Sequence, residues 1–228
     1  MNYIFTSVSN TKDFFEKLRT ELLLTLPGVD AHLRLAPEMR LNDLKIGITP
    51  DHAIESAVLI ILYPYKNRLQ TVVILRNEYD GAHSGQISLP GGKSEETDVD
   101  FAHTALREAE EEIGIIPSQM KILGQLSRFY VRPSNFVINP YIAYTTKRPD
   151  FHPDATEVQR IIEIDVFKEI NTDRIVNKTI TFKNRVQVIA PGFEVGGEFM
   201  WGATAMIFSE LIHVLRNVAE KSVNNPAN

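Results

Sequence analysis

The sequence predicts an α/β fold of the α+β type, a mixed β-sheet sandwiched between helices, with an N-terminal helical extension. Three observations predict it. Apolar residues recur at helical spacing near the N-terminus, and a second helical pattern follows Pro90-Gly91-Gly92. Between and beyond these lie short apolar or alternating runs that read as strands. Strands and helices alternate, but without the regular rhythm of a doubly wound parallel sheet.

Each element has its own signal. Residues 11–24 place Phe14, Phe15, Leu18, Leu22 and Leu23 at helical spacing, with Thr11 and Asp13 near the start and Leu26-Pro27-Gly28 as the stop. A second short helix and a mostly irregular stretch lead to Pro50. Ser56 to Tyr63 is a continuous apolar run ended by Pro64, which suits a strand covered on both faces. Gln70 to Leu75 is its expected partner after a turn at Lys66-Asn67, and Gly85 to Leu89 is short and extended. Residues 98–113 form a helix, capped by Asp98 or Thr97 and stopped by Gly114. Further strands are expected at 121–129, 136–145, 159–164 and 179–189, before a last helix at 203–219. The domains expected are residues 1–50 as the extension, 51–220 as the main domain and 221–228 as a polar tail.

Composition narrows the function. The 228 residues carry 24 Lys+Arg and 29 Asp+Glu, a formal net charge of −5. Between Gly92 and Gly114 stand eight acids (Glu95, Glu96, Asp98, Asp100, Glu108, Glu110, Glu111, Glu112) against Lys93 and Arg107. Eight minus two is −6, so the rest of the chain is nearly neutral. No basic excess favours binding to nucleic acid. With no cysteine there are no disulfides, thiolate zinc sites or cysteine nucleophile. The longest strongly apolar stretch, Ala57 to Tyr63, is far shorter than the roughly 20 residues of a membrane span. The N-terminus lacks the basic start of a signal peptide, so a cytoplasmic location is expected.

The acidic segment is built like a metal site. On a wheel of about 100° per residue, Glu108, Glu111 and Glu112 share one stripe, bordering an apolar face of Ala102, Ala105, Leu106, Ala109 and Ile113. Glu110 points elsewhere. A charge run on a helix is ordinarily a solvated surface. Here like charges at i,i+3 and i,i+4 repel, and Glu111 and Glu112 sit at the helix end where the dipole disfavours anions. Clustered carboxylates without His or Cys suit Mg²⁺ or Mn²⁺. The preceding Pro90-Gly91-Gly92 frees the backbone to turn tightly and to offer a carbonyl to a metal or an amide to a phosphate.

Arg107-Glu108-Ala109-Glu110-Glu111-Glu112-Ile113-Gly114-Ile115 resembles the core of the Nudix box, Arg-Glu-hydrophobic-X-Glu-Glu-X-Gly-hydrophobic. Gly92 stands one residue farther from Arg107 than in the usual box, and the counted Glu position holds Val99, leaving Glu95, Glu96 or Asp98 to take its place. The coenzyme A pyrophosphatase branch has the same lengthening. Its signatures are similar to His83-Ser-Gly-Gln-Ile-Ser-Leu-Pro-Gly-Gly92, Thr104-Ala-Leu-Arg-Glu-Ala109 and Trp201-Gly-Ala-Thr-Ala205. Where that branch has Leu-Arg before the His motif, this chain has Asp80-Gly81. The resemblance spans roughly residues 54–216.

The resemblance implies a Nudix fold and hydrolysis of a nucleoside diphosphate linked to another moiety. The expected metal ligands are Glu108, Glu112 and Glu111, with Gly92 through its carbonyl. Glu111 is the foremost candidate to orient or deprotonate water, and Arg107 to hold a carboxylate in place. Glu157, just ahead of a strand, is either a further ligand or base, or a plain strand-edge acid. Arg76, His83, Gln86, Arg128 and Arg132 are the candidate substrate-binding residues, with a backbone-bonded turn as the alternative for His83. No role is expected for His32, His52, His103, His152 or His213, and Trp201 is expected in the core. Coenzyme A or a derivative is the expected substrate, cut to adenosine 3′,5′-bisphosphate and 4′-phosphopantetheine. ADP-ribose, a dinucleotide or an oxidised nucleotide is the enzymatic alternative, and a non-catalytic nucleotide-binding regulator the alternative of another class. A small-molecule nucleotide is the partner expected, without nucleic acid or membrane, and a homodimer is compatible with the sequence.

Overall fold

The computed structural model describes residues 8–78, 84–170, 174–182 and 185–224. The chain begins with helices α1 (Val8–Leu22), α2 (Val29–Leu33) and α3 (Leu41–Ile46). Strands β1 (Ile54–Tyr65), β2 (Arg68–Arg76), β3 (Ile87–Ser88) and β4 (Gly91–Lys93) precede helix α4 (Phe101–Ile113). Then come β5 (Lys121–Gln125), β6 (Phe129–Val131), β7 (Phe136–Tyr144) and β8 (Val158–Asp165). The short α5 (Val166–Glu169), strands β9 (Val176–Thr181), β10 (Gln187–Val195) and β11 (Glu198–Trp201), and helix α6 (Gly202–Asn224) complete the order.

The main sheet has eight strands in the order β3-β2-β1-β7-β5, with β4 on β1, β6 on β7 and β8 on β2. It is mixed as expected. β1 and β7 run parallel, and the other pairs are antiparallel. β1 explains its own unbroken apolar run. Ala57, Leu59, Ile61 and Tyr63 face α4, among Ala105, Ala109 and Ile113. Ile60 and Leu62 face the other side, among Phe14, Phe15 and Leu18 of α1 and Phe208, Leu211 and Leu215 of α6. Both faces are covered, so the run from Ala57 to Leu62 is apolar without alternation. The N-terminal helices share this core.

Several boundaries differ from the sequence expectation, each for a local reason. β1 does not stop at Pro64. Pro64 opposes Leu69 in the non-hydrogen-bonded pair of a two-residue hairpin, where its missing N–H is not needed. The turn itself is Lys66-Asn67, both at positive φ. Leu23 lies beyond the end of α1 and is 81% exposed. The stretch expected as one strand at 121–129 is two, β5 and β6, because Ser127 turns its N–H and hydroxyl to Glu210. The run at 179–189 is likewise the arms of a hairpin, β9 and β10. With β11, which follows Gly196-Gly197, they form a separate three-stranded sheet. Trp201 alternates with buried Met200 and is only partly buried, its ring edge-on to Phe182 at 6.0 Å. α6 continues to Asn224, four residues into the expected polar tail.

Candidate active site

β4 brings the glycines against the carboxylate helix. It pairs with β1 so that Gly92 opposes Ala57 and Gly91 opposes Val58. A Cβ on Gly92 would overlap the Glu108 carboxylate, and one on Gly91 (φ 150°) would overlap the Ala57 carbonyl and Val58. Close approach, more than turning, is what the two glycines supply.

α4 is capped by Asp100, whose Oδ1 accepts the His103 N–H at 2.7 Å, and not by Asp98 or Thr97. Asp98 is taken elsewhere. The Arg107 guanidinium grips it with two hydrogen bonds of 3.0 Å, from Nε to Oδ1 and from Nη2 to Oδ2. Asp98 also accepts from the Thr104 hydroxyl and the Glu95 N–H, both at 2.9 Å, and lies 2.9 Å from His103 Nδ1. Its side chain is fully buried, and Arg107, foremost among these partners, holds it far below the usual carboxylate range. Of the three acids open to the vacant box position, Asp98 is therefore the one bound to the arginine.

Arg107 does more than hold Asp98. Its Nη1 donates to Glu108 Oε1 at 2.8 Å and to Glu111 Oε2 at 3.3 Å, and its Nη2 donates to the Lys93 carbonyl at 3.1 Å. One side chain thus ties the loop, β4 and two helix carboxylates together. Glu112 is the buried member, 2% exposed. Its Oε2 accepts the Gly91 N–H at 2.9 Å and its Oε1 accepts from Arg76 Nη1 at 3.2 Å. Burial pushes its pKa up to about 7 against the pull of Gly91 and Arg76. Burial raises Glu108 as well, opposed by Arg107. Glu111 is the open one, with a side chain 60% exposed.

The structure gathers some candidates and separates others. Arg76 reaches both Glu112 and, at 3.9 Å, Glu157, which comes from the loop between β7 and β8. That loop is docked on the end of α4. The His152 and Asp154 N–H groups donate to the Ile113 and Glu112 carbonyls, at 2.8 and 2.9 Å. Gln86 lies across from Arg76, whose N–H donates to the Gln86 carbonyl at 3.1 Å. Arg128 and Arg132 flank β6, which lies beyond β7 from β1 and β4. They pair with Glu55 at 2.9 Å and Asp43 at 3.6 Å, and not with the α4 carboxylates. His83 falls outside the described residues. A cavity of about 730 Å³ opens beside Arg76, lined also by Asn77, Glu78, Thr156, Glu157 and Gln159. Sequence reasoning missed Asn77, Glu78, Thr156 and Gln159, because only the fold brings the end of β2 to the start of β8.

The donor set fits a hard divalent cation in chemistry and charge. It is all oxygen, and two of its carboxylates carry a burial cost that a cation would relieve. Among the described residues no three acidic or His side chains are already drawn together at ligand spacing. Glu108 and Glu111 turn to Arg107, and Glu112 turns to Arg76. Among the described residues no helix is long and apolar enough to cross a membrane.

The model of the NUDIX domain matches residues 54–173. A Nudix hydrolase named NudL from Pectobacterium atrosepticum is 32% identical over 161 residues, which are 69% of this chain and 80% of the relative. The NudL of Yersinia enterocolitica is 32% identical over 155 residues, covering 66% and 77%. Among solved structures, the Nudix hydrolase RenU from M. smegmatis aligns over 77% of this chain and 89% of its own, with 11% identity and a TM-score of 0.47.

Proposed function

The chain belongs to the Nudix family, a hydrolase of pyrophosphate bonds, and on that premise we propose that it cleaves coenzyme A or a close derivative with Mg²⁺ or Mn²⁺. The observation that carries the chemistry is the pair of burial-strained carboxylates, Glu108 and Glu112, set against the backbone of Gly91-Gly92. The resemblance of 83–92, 104–109 and 201–205 to the coenzyme A pyrophosphatase signatures supports the substrate.

Glu108, Glu112 and Glu111 would hold the cation, with the Gly92 carbonyl beside them. When bound there, a divalent cation would supply charge neutralisation of the pyrophosphate and a lowered pKa for the attacking water. Arg107 keeps Glu108 and Glu111 on the same side of the helix and anchors both to Asp98. Glu111, exposed where solvent enters, orients the water and takes its proton. The water oxygen bonds to one phosphorus, the bridging P–O bond breaks, and the released phosphate oxygen carries the charge. Adenosine 3′,5′-bisphosphate and 4′-phosphopantetheine are the products.

Hydrolysis of ADP-ribose at the same site is the second reading. It is favoured by Asp80-Gly81, which stand where the coenzyme A branch has Leu-Arg. A panel of coenzyme A, ADP-ribose, a dinucleotide and an oxidised nucleotide, run with each metal and read by product mass, decides between them. Intact coenzyme A beside cleaved ADP-ribose would reverse the order.

A further inference from the structure

The cavity beside Arg76 is left unexplained by the carboxylate chemistry. It is an open, polar-lined cleft of about 730 Å³, with room for a small organic group. It adjoins the reaction centre, since Arg76 lines it while touching Glu112 at 3.2 Å. We infer that this cavity receives the uncharged, hydroxyl- or amide-bearing moiety attached to the pyrophosphate, and that Gln159 and Glu78 select it. The inference rests on the pyrophosphatase reading and adds which half of the substrate lies where.

Charge is the first argument. Of the six described lining residues, Glu78 and Glu157 are carboxylates and Arg76 is the sole cation. Arg76 is already shared between Glu112 and Glu157. A moiety carrying another phosphate would meet two acids and no uncommitted base, an arrangement that rejects anions.

Hydrogen-bonding capacity is the second. Gln159 is exposed and its side-chain amide makes no hydrogen bond with the described residues, so it offers both donors and an acceptor. Asn77 spends Nδ2 on the Ala155 carbonyl at 2.8 Å and keeps Oδ1 as an acceptor. The Thr156 hydroxyl donates to Asp154 Oδ1 at 2.9 Å and keeps its lone pairs. These are neutral groups that pair with hydroxyls and amides.

Rigidity is the third. The Asn77 N–H donates to the Glu157 carbonyl at 3.0 Å, and the Thr156 N–H to Asp154 Oδ1 at 2.8 Å. The Val158 N–H donates to the Asp154 carbonyl at 2.8 Å, so the wall is set before a ligand arrives. In coenzyme A the occupant is the pantetheine arm, and the 3′-phosphate lies outside the cavity. In ADP-ribose it is the terminal ribose.

Steady-state kinetics of Gln159→Leu and Glu78→Gln test this, with coenzyme A, ADP-ribose and ADP-ribose phosphorylated on its terminal ribose. Gln159→Leu should raise KM about tenfold for the better unphosphorylated substrate with kcat within about twofold, the signature of lost uniform binding. Glu78→Gln should raise the kcat/KM ratio of phosphorylated to unphosphorylated ADP-ribose about tenfold. A KM unchanged within about twofold in Gln159→Leu, or a fall in kcat alone, overturns the assignment. The better unphosphorylated substrate identifies the arm or the ribose as occupant. If the wild type hydrolyses none of them, the pyrophosphatase reading fails separately. The cavity is then judged by titrating 4′-phosphopantetheine and ribose 5-phosphate while following side-chain amide NMR signals, assigned through Gln159→Leu. A Gln159 signal that neither compound moves would end the inference.

Discussion

Glu108, Glu111 and Glu112 have the same side chain within two turns of one helix, yet their surroundings divide the work. Glu112 is buried against an amide and a guanidinium, Glu108 is pinned by Arg107 over Gly92, and Glu111 is open to water. Because Glu111 is exposed, Glu111→Gln should leave the fold intact. Turnover should fall at least about 10²-fold, as loss of a general base requires. A fall of less than about tenfold with saturating Mg²⁺ would remove it from that role. Asp98 acts at one remove. Asp98→Asn would break the two-pronged contact with Arg107, a charge-assisted pair in which each bond contributes on the order of 2 kcal/mol. Thermal denaturation should show a lowered Tm, and titration should show weaker Mg²⁺ binding because Glu108 and Glu111 lose their shared anchor. Unchanged Mg²⁺ affinity would mean that Arg107 places the carboxylates without Asp98.

Among the elements, α2, α6 and the segment between β5 and β6 meet at a single carboxylate. Glu210 of α6 is fully buried and accepts four hydrogen bonds. They come from Gly28 N–H at 3.0 Å, Ser127 N–H at 3.2 Å, Ser127 hydroxyl at 2.6 Å and His32 Nε2 at 3.0 Å. Burial alone would raise its pKa, but the bonds from His32 and Ser127 outweigh burial and lower it. A carboxylate with a lowered folded pKa adds stability above its unfolded pKa, about 4.3 for Glu, and loses it as pH falls through the folded value. Urea unfolding followed from about pH 5 downward, past the unfolded value, should therefore show a steeper loss for the wild type than for Glu210→Gln. Parallel curves would show that the bonds do not depend on the ionised form. The same junction split one expected strand into β5 and β6, which no local pattern around Ser127 announces.

For the molecule as a whole, local patterns read well and long-range pairings read poorly. The α4 helix, its stop at Gly114 and the continuous apolar run of β1 were legible because each follows from nearest-neighbour chemistry and periodicity. The Asp100 cap was missed because Asp98, an equally good cap by type, is drawn off by Arg107 nine residues away. Likewise the small sheet was read as one strand, though Gly196-Gly197 marked a turn that was there to be used. Arg76 shows the limit most plainly. Its position beside Glu112 depends on β2 carrying it across the sheet to the end of α4. By itself the sequence determined the family, the sheet-and-helix class and which helix carries the carboxylates, since those are properties of residue type at short spacing. Only the tertiary structure decided that Asp98 meets Arg107, that Arg76 closes on Glu112 and Glu157, and that a cavity opens between β2 and β8. Such contacts join residues from nine to many tens of positions apart, and their geometry is set by the packing of the whole core.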